Sequence, residues 1–267
     1  MEKEIEEEAY KRIPLEILLH ITDFCEKNDI RYSLAYGTLL GAIRHQGFIP
    51  WDDDIDIIMP RKDYERFKKL YHSERYPFSD LTINPNHPTG MGKVYDTQTF
   101  FYYRKTIRRS YGLFVDVFAV DNFPSNKEER LKWQKQIKKL IAINTIKNTD
   151  IYSIFCSKKN WNSLFKKLLL RLYPLPKKSI QKRISQLMQK YDGQKTESVG
   201  ITMSVDNPYD TYPSNLFEEY ITVSFENHHF KAIKQYDLWL KVCYGDYMQL
   251  PPVEKRQGKH SIIAYYR

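Results

Sequence analysis

Four aspartates, Asp52, Asp53, Asp54 and Asp56, fall within five positions and run straight into the apolar residues Ile55, Ile57, Ile58 and Met59. Carboxylates this dense repel one another unless a cation neutralises them. The apolar residues read as a buried strand, so the acids must sit at its mouth. Alternate side chains of a strand share a face. Over a strand from Asp54 to Met59, Asp54 and Asp56 are expected on one side, with Ile55 and Ile57 turned into the core. Two carboxylates so placed suit a hard divalent ion such as Mg²⁺. That ion prefers oxygen and often combines one or two carboxylates with substrate phosphates. The run is not a calcium-binding EF-hand loop: Ile57 stands where that loop needs Gly, and Asp63 where it needs Glu.

A third acid, Asp116, interrupts the apolar stretch from Gly112 to Val120. A lone carboxylate in a buried strand is costly unless it is paired or coordinated. If this strand lies beside that of Asp54, the three acids converge; a hydrogen-bonded buried acid is the alternative. Upstream, Gly37 and Thr38 follow a strand-like segment, Arg31 to Tyr36, and precede a short helix through His45. A helix N-terminus offers free amides, and Gly lets a phosphate approach closely. Thr38 is expected to cap that helix.

Helical spacing also predicts Pro14 to Asn28, with Pro14 in the first turn, and Arg61 to Tyr71. Lys93 to Asp96, Phe100 to Arg104, Val199 to Val205 and Tyr220 to Phe225 read as strands. Tyr236 to Tyr244 reads as a helix stopped by Gly245. Strands and helices alternate in the N-terminal part, so an α+β (α/β-like) core is expected. From Asn126 to Met188 the pattern is long, basic and helical. Between Lys147 and Lys195 twelve Lys and Arg face only Asp150 and Asp192, so this stretch alone accounts for the chain's net charge of +9. Such a block points to an anionic partner: a membrane surface, a polyanionic acceptor or nucleic acid. Trp161, Leu164, Phe165, Leu168, Leu169 and Leu172 share one helical face there, which suits packing on the core or an anionic membrane.

Cys25, Cys156 and Cys243 are far apart and lack zinc spacing, so they are expected to be reduced and mostly buried. Met1 to Glu8 is acidic, without the apolar centre of a signal peptide. No run of about 18 apolar residues predicts a membrane-spanning helix. A cytoplasmic protein is expected, with peripheral contact at the inner face of the cell membrane as the further expectation.

Two motifs carry a resemblance. Tyr36-Gly37-Thr38-Leu39-Leu40-Gly41-Ala42-Ile43-Arg44-His45, followed by Ile49-Pro50-Trp51-Asp52-Asp53-Asp54-Ile55-Asp56, resembles the signature of the LicD family of phosphotransferases, which includes fukutin-related proteins. Tyr244-Gly245-Asp246-Tyr247-Met248-Gln249-Leu250-Pro251-Pro252, with Glu254-Lys255-Arg256 and His260, is a second match in the right order. The chain departs from the pattern at Asn227, where Gly is frequent, and at Ile233-Lys234, where Pro is common. The resemblance implies a nucleotidyltransferase-like mixed sheet flanked by helices, with a basic helical insert. On that reading residues 1–125 form the core with the metal site, 126–195 the insert, and 196–267 a segment packing back on the core. It implies transfer of a substituted phosphate from a CDP-linked alcohol, CDP-choline first among them, to a sugar hydroxyl of a cell-surface glycan such as a teichoic acid or lipopolysaccharide precursor, which can be lipid-linked. Ribitol or glycerol phosphate transfer is an alternative, as is true nucleotidyl transfer.

Asp54, Asp56 and Asp116 match the family's acidic positions, and Mg²⁺, or Mn²⁺ in its stead, is the implied cofactor. Asp116 would be a ligand or the base. Arg44 suits a phosphate clamp, since its planar fork fits paired oxygens; a salt bridge within the acid cluster is the alternative. Lys93, Arg104, Arg256 and His260 are further cationic candidates, whose ordinary reading is surface charge. Trp51 would line the donor pocket or attract a choline cation, or simply pack its loop. From a different class, a basic nucleic-acid-binding module is disfavoured, because the acid cluster repels phosphate backbones and the positive charge sits in one insert.

Overall fold

The computed structural model describes residues 3–84, 87, 91–103, 107–108, 111–148, 167–202, 211–256 and 262–267. Its central strand is β7 (Phe114–Phe123), the apolar segment around Asp116. One side of β7 pairs in parallel with β2 (Asp56–Pro60). It pairs antiparallel with β4 (Gly92–Tyr95) and, through its last residues, with β8 (Ser198–Gly200). β1 (Ser33–Leu34) lies outside β2, β3 (Phe78–Ser79) outside β4, and β9 (Tyr212–Pro213) outside β8, completing a seven-stranded mixed sheet. A three-stranded sheet joins β5 (Thr99–Tyr103) to β6 (Ile107–Arg108) and to β12 (Ile262–Tyr266), so the C-terminus returns to the first half of the chain.

Helices flank the main sheet, as the resemblance implies. α1 (Glu7–Lys27) buries Ile13, Ile17, Leu18, Ile21 and Cys25 at helical spacing. α3 (Arg61–Leu70) lies beside it, with Phe24 edge-on to Phe67 and Tyr71, and both helices pack on β7. Pro14 falls inside α1 rather than in its first turn, because the helix begins at Glu7. An interior proline removes one helical hydrogen bond; here the buried face holds the helix across that gap. α4 (Lys127–Asn148) buries Trp133, Ile137, Leu140 and Ile143 and packs on α5 (Lys177–Met188) through Ile180, Ile184 and Met188. The Trp133 indole N–H donates to the Leu187 carbonyl (2.7 Å). Residues 161–166 of the amphipathic stretch expected at 161–172 lie outside the described residues, as do Cys156 and residues 203–205 of the strand expected at 199–205.

α2 (Tyr36–His45) packs against β2, against α6 (Tyr236–Tyr244) and against β10 (Tyr220–Phe225). β10 forms a hairpin with β11 (His228–Ile233), a strand the sequence pattern did not reveal. Its two turn residues, Glu226 and Asn227, both have left-handed backbone (φ 49° and 61°). That is the geometry of a tight two-residue hairpin. The turn reaches back to the loop after α2: Glu226 N–H donates to the Gln46 carbonyl (3.0 Å), and Phe48 N–H to Glu226 Oε1 (2.9 Å). The hairpin thereby fixes the segment that carries Trp51 and the aspartates.

Candidate active site

The parallel register of β2 on β7 sets Asp56 opposite Asp116, and the antiparallel register of β4 on β7 sets Lys93 opposite the same Asp116. Residues opposed in register share a face of the sheet. Asp56, Asp116 and Lys93 therefore form one row across three neighbouring strands. All three are buried, at 8%, 8% and 5% exposure. The Lys93 ammonium donates to Asp116 Oδ1, and it stands 3.6 Å from the centre of the Phe114 ring. Lys93 is thus an interior cation, which corrects its ordinary reading as surface charge. The strand pattern around it, Gly92-Lys93-Val94-Tyr95, held the signal: a lone Lys between buried positions.

Asp54 does not belong to β2. The strand begins at Asp56, and Asp54 lies half-buried in the loop before it. The reason is electrostatic: Asp52, Asp53 and Asp54 keep contact with water, whereas Ile55 is fully buried and anchors the entry to the strand. Burial first, then the charges of Asp54, Asp116 and Asp52, push the Asp56 carboxyl well above the ordinary carboxylate range; Lys93 pulls it partly back. Asp52, Asp54 and Asp116 thus all lie within electrostatic reach of Asp56, with one interior lysine bonded to Asp116.

Thr38 does not cap α2. The residue before the helix is Ala35, which offers no side-chain acceptor. The Thr38 hydroxyl instead accepts the backbone N–H of Asp56 (2.8 Å), while Ala35 N–H donates to the Asp56 carbonyl (3.0 Å). Helix and strand are stitched together at the acid. Tyr36 opens the helix with a left-handed backbone (φ 43°), an uncommon geometry for a bulky residue, its ring held edge-on by Phe118 and Trp239. At Gly37 a Cβ would overlap Asp52 Oδ2. The Gly37 position next to the helix N-terminus thus abuts the Asp52 carboxylate, where the sequence suggested a phosphate.

A cavity of about 730 Å³ opens beside this end of the sheet and is shared by the two sequence motifs. Gly37, Arg44, Trp51 and Asp52 line it from the first; Tyr244, Tyr247 and Arg256 line it from the second. The Arg44 guanidinium donates to the Tyr247 carbonyl (2.5 Å), and that of Arg256 to the Pro251 carbonyl (2.8 Å). Burial, followed by the positive charge of Arg256, lowers the Arg44 pKa, with Tyr244 acting against it. Arg44 is therefore tied to backbone carbonyls of the second motif. The Arg256 guanidinium lies over the Trp51 ring, 5.6 Å from its centre, so the ring face proposed for choline carries a cation of the chain itself. Tyr244 was part of the second motif without an assigned role. Tyr244 is 41% exposed, yet its hydroxyl end is sheltered; this desolvation, then the nearby Asp56 charge, raises the hydroxyl pKa and keeps it a proton donor between acids and cavity. Arg104 and His260 lie outside the described residues.

The comparisons fit this architecture. Residues 29–144 match the family model described as LicD/FKTN/FKRP, nucleotidyltransferase domain. Over 263 residues the chain is 32% identical to the lipopolysaccharide cholinephosphotransferase LicD of Haemophilus influenzae, covering 94% of each protein. The chain belongs to the LicD family. Uncharacterized proteins of Rickettsia typhi and Rickettsia prowazekii share shorter stretches, 52% identical over 44 residues and 60% over 37, each covering 14% of the rickettsial protein. The LicD nucleotidyltransferase domain in this chain thus spans β1 to most of α4 and contains the row Asp56–Asp116–Lys93.

Whether these residues suit a metal ion can be tested on the donor set. Clustered carboxylate oxygens, one of them buried beside like charges, suit a hard divalent cation, which would relieve the repulsion around Asp56. Among the described residues no group of three or more His, Cys, Asp or Glu side chains is arranged to hold a metal ion. A site of one or two carboxylates completed by substrate oxygens is consistent with both observations. Among the described residues, no helix is long and apolar enough to cross a membrane.

Proposed function

We propose that this LicD-family chain transfers a substituted phosphate from a CDP-linked alcohol to a sugar hydroxyl of a cell-surface glycan. The observation that carries the proposal is the in-register pairing of Asp56 with Asp116, which reaches a cavity lined by both motifs through its neighbours Asp52 and Tyr244 on the cavity wall. Phosphocholine is the favoured group, because the Haemophilus influenzae relative is named a lipopolysaccharide cholinephosphotransferase. Asp56 and Asp116, the pair set in register, are the residues we assign to Mg²⁺, with substrate oxygens completing the site. Once bound, such an ion neutralises charge on the donor's phosphate oxygens.

The chain's own residues supply the rest. Arg44 and Arg256 offer guanidinium donors to the pyrophosphate, in the charge-assisted geometry that favours Arg. The acceptor hydroxyl oxygen attacks the phosphorus bearing the alcohol, the bond from that phosphorus to the bridging oxygen breaks, and CMP departs with that oxygen. Asp52, the carboxylate on the cavity wall, is the group we assign to take the acceptor's proton. Tyr244, on the same cavity wall and held protonated, is the hydrogen-bond donor we assign to the substrate there. Lys93 holds the Asp116 carboxylate in one orientation.

The test is to incubate the purified chain with Mg²⁺, a glycan acceptor and a panel of CDP-alcohols. CMP release with one alcohol, most strongly with CDP-choline, is expected. Pyrophosphate release from a nucleoside triphosphate, with no CMP from any CDP-alcohol, would replace this reading with nucleotidyl transfer.

A further inference from the structure

The helix pair α4–α5 presents charge that the active site does not use. On α4 the exposed positions include Lys132, Lys135 and Lys139, spaced to share one face. On α5 they include Lys178, Lys182 and Arg183, and that helix contains no acidic residue. The acids of α4, Glu128 and Glu129, stand in its first turn, and Glu129 is engaged by Lys190 and Tyr191. An apolar element adjoins the far end of α4. In the helical turn at 167–172, Leu170 packs on the core while Leu169 and Leu172 are 53% and 78% exposed. That turn is fastened to the end of α4: the Arg171 guanidinium donates to the Ile146 carbonyl (3.2 Å), and the Lys147 ammonium to the Tyr173 carbonyl (2.7 Å).

We infer that the α4–α5 helix pair, with the Leu169–Leu172 turn, docks the enzyme on the surface of a bilayer containing anionic phospholipid. Two features of the face choose this occupant. Lysines on a helix face meet the negative surface potential of anionic lipid, and leucines beside them enter the boundary of the acyl chains. Nucleic acid or a soluble polyanion would match the lysines and leave the leucines without a role. The docking face does not depend on the assignment of the reaction, because binding is read without turnover.

Flotation of the full chain with phosphatidylcholine vesicles, with and without phosphatidylglycerol, tests the inference. Binding is expected with the anionic vesicles and should weaken as salt rises. Lys178→Glu and Lys182→Glu should each weaken it at least about fivefold, the factor for roughly 1 kcal/mol per cation near an anionic surface. Leu172→Ser should weaken it too, with Mg²⁺-dependent CMP release in solution unchanged for all three variants. Equal binding to neutral vesicles, or no effect of the lysine variants, overturns the inference. So does displacement from vesicles by random-sequence DNA combined with indifference to Leu172→Ser, an outcome that would assign the face to nucleic acid.

Discussion

Lys93 and Asp116 oppose each other across β4 and β7, both buried, the ammonium bonded to the carboxylate in the same row as Asp56. Removing one partner of a buried ion pair leaves a charge in a poor solvent and costs about 3–5 kcal/mol. Lys93→Met should therefore lower unfolding stability on that scale, measured by urea titration. Adding Asp116→Asn to the same chain should recover part of the loss, because the stranded charge is gone. A double-mutant cycle reads the coupling directly. Additive effects would show that the pair is not energetically linked.

Asp56 carries the opposite penalty. Burial and three neighbouring carboxylates raise its pKa, so the fold favours the neutral form. Stability from such a group is greatest at low pH and is lost as pH rises from the unfolded value, near 4, through the folded value. In metal-free buffer Asp56→Asn should be more stable than the parent at neutral pH, and the difference should shrink on acidification. Transfer should fall about 100-fold or more, the scale for losing one preorganised electrostatic group. Mg²⁺ should raise the Tm of the parent more than that of the variant. Calorimetry across pH with and without Mg²⁺ checks the stability claims and CMP release checks the transfer; a variant less stable than the parent at neutral pH would contradict the assignment.

Much of this arrangement was legible from residues alone. The apolar runs at 55–59 and 112–120 announced β2 and β7, and an acid in each announced a shared site. What the sequence could not supply was register. Only the parallel pairing sets Asp56 against Asp116 and leaves Asp54 in the loop, because a strand's start depends on its neighbour. Thr38 misled for a related reason. Its position suits a cap, but a long-range partner, the Asp56 amide, claims its hydroxyl. Lys93 was underrated because a lone Lys is usually solvated; its partner, Asp116, lies far along the chain. β11 was missed because its turn, Glu226-Asn227, lacks the Gly that usually marks a tight hairpin.

That turn yields a prediction of its own. Asn227 has φ 61°, a region that Asn tolerates and Gly occupies freely. The departure from the family's frequent Gly is therefore conformationally neutral, and Asn227→Gly should change stability by less than about 0.5 kcal/mol. Asn227→Val should lose about 1–2 kcal/mol, the cost of a left-handed backbone with a bulky Cβ. Because Glu226 holds the Gln46 carbonyl and the Phe48 amide, the Val variant should also loosen the loop bearing Trp51. Faster amide exchange at residues 46–51 in Asn227→Val, and not in Asn227→Gly, is the expected signature.

Arg44 and Arg256 line the same cavity. Each is anchored to a backbone carbonyl, of Tyr247 and Pro251, and they approach closely enough for Arg256 to depress the Arg44 pKa. Two guanidiniums held near each other beside a cavity repel until an anion lies between them, so donor binding should relieve a strain built into the free protein. Arg256→Ala removes one charge-assisted donor, worth about 1.5–3 kcal/mol. It should raise the KM for the CDP-alcohol about tenfold to a hundredfold while kcat falls less, since the contact is made in ground and transition states alike. Arg44→Lys keeps the charge and loses the planar fork, so it should also raise KM. Arg44→Ala combined with Arg256→Ala should be less damaging than the product of their separate effects, because removing either charge already lifts the repulsion on the other. Steady-state kinetics over a range of donor concentrations decides the matter, and a fall in kcat at unchanged KM would move both arginines from donor binding to the chemical step.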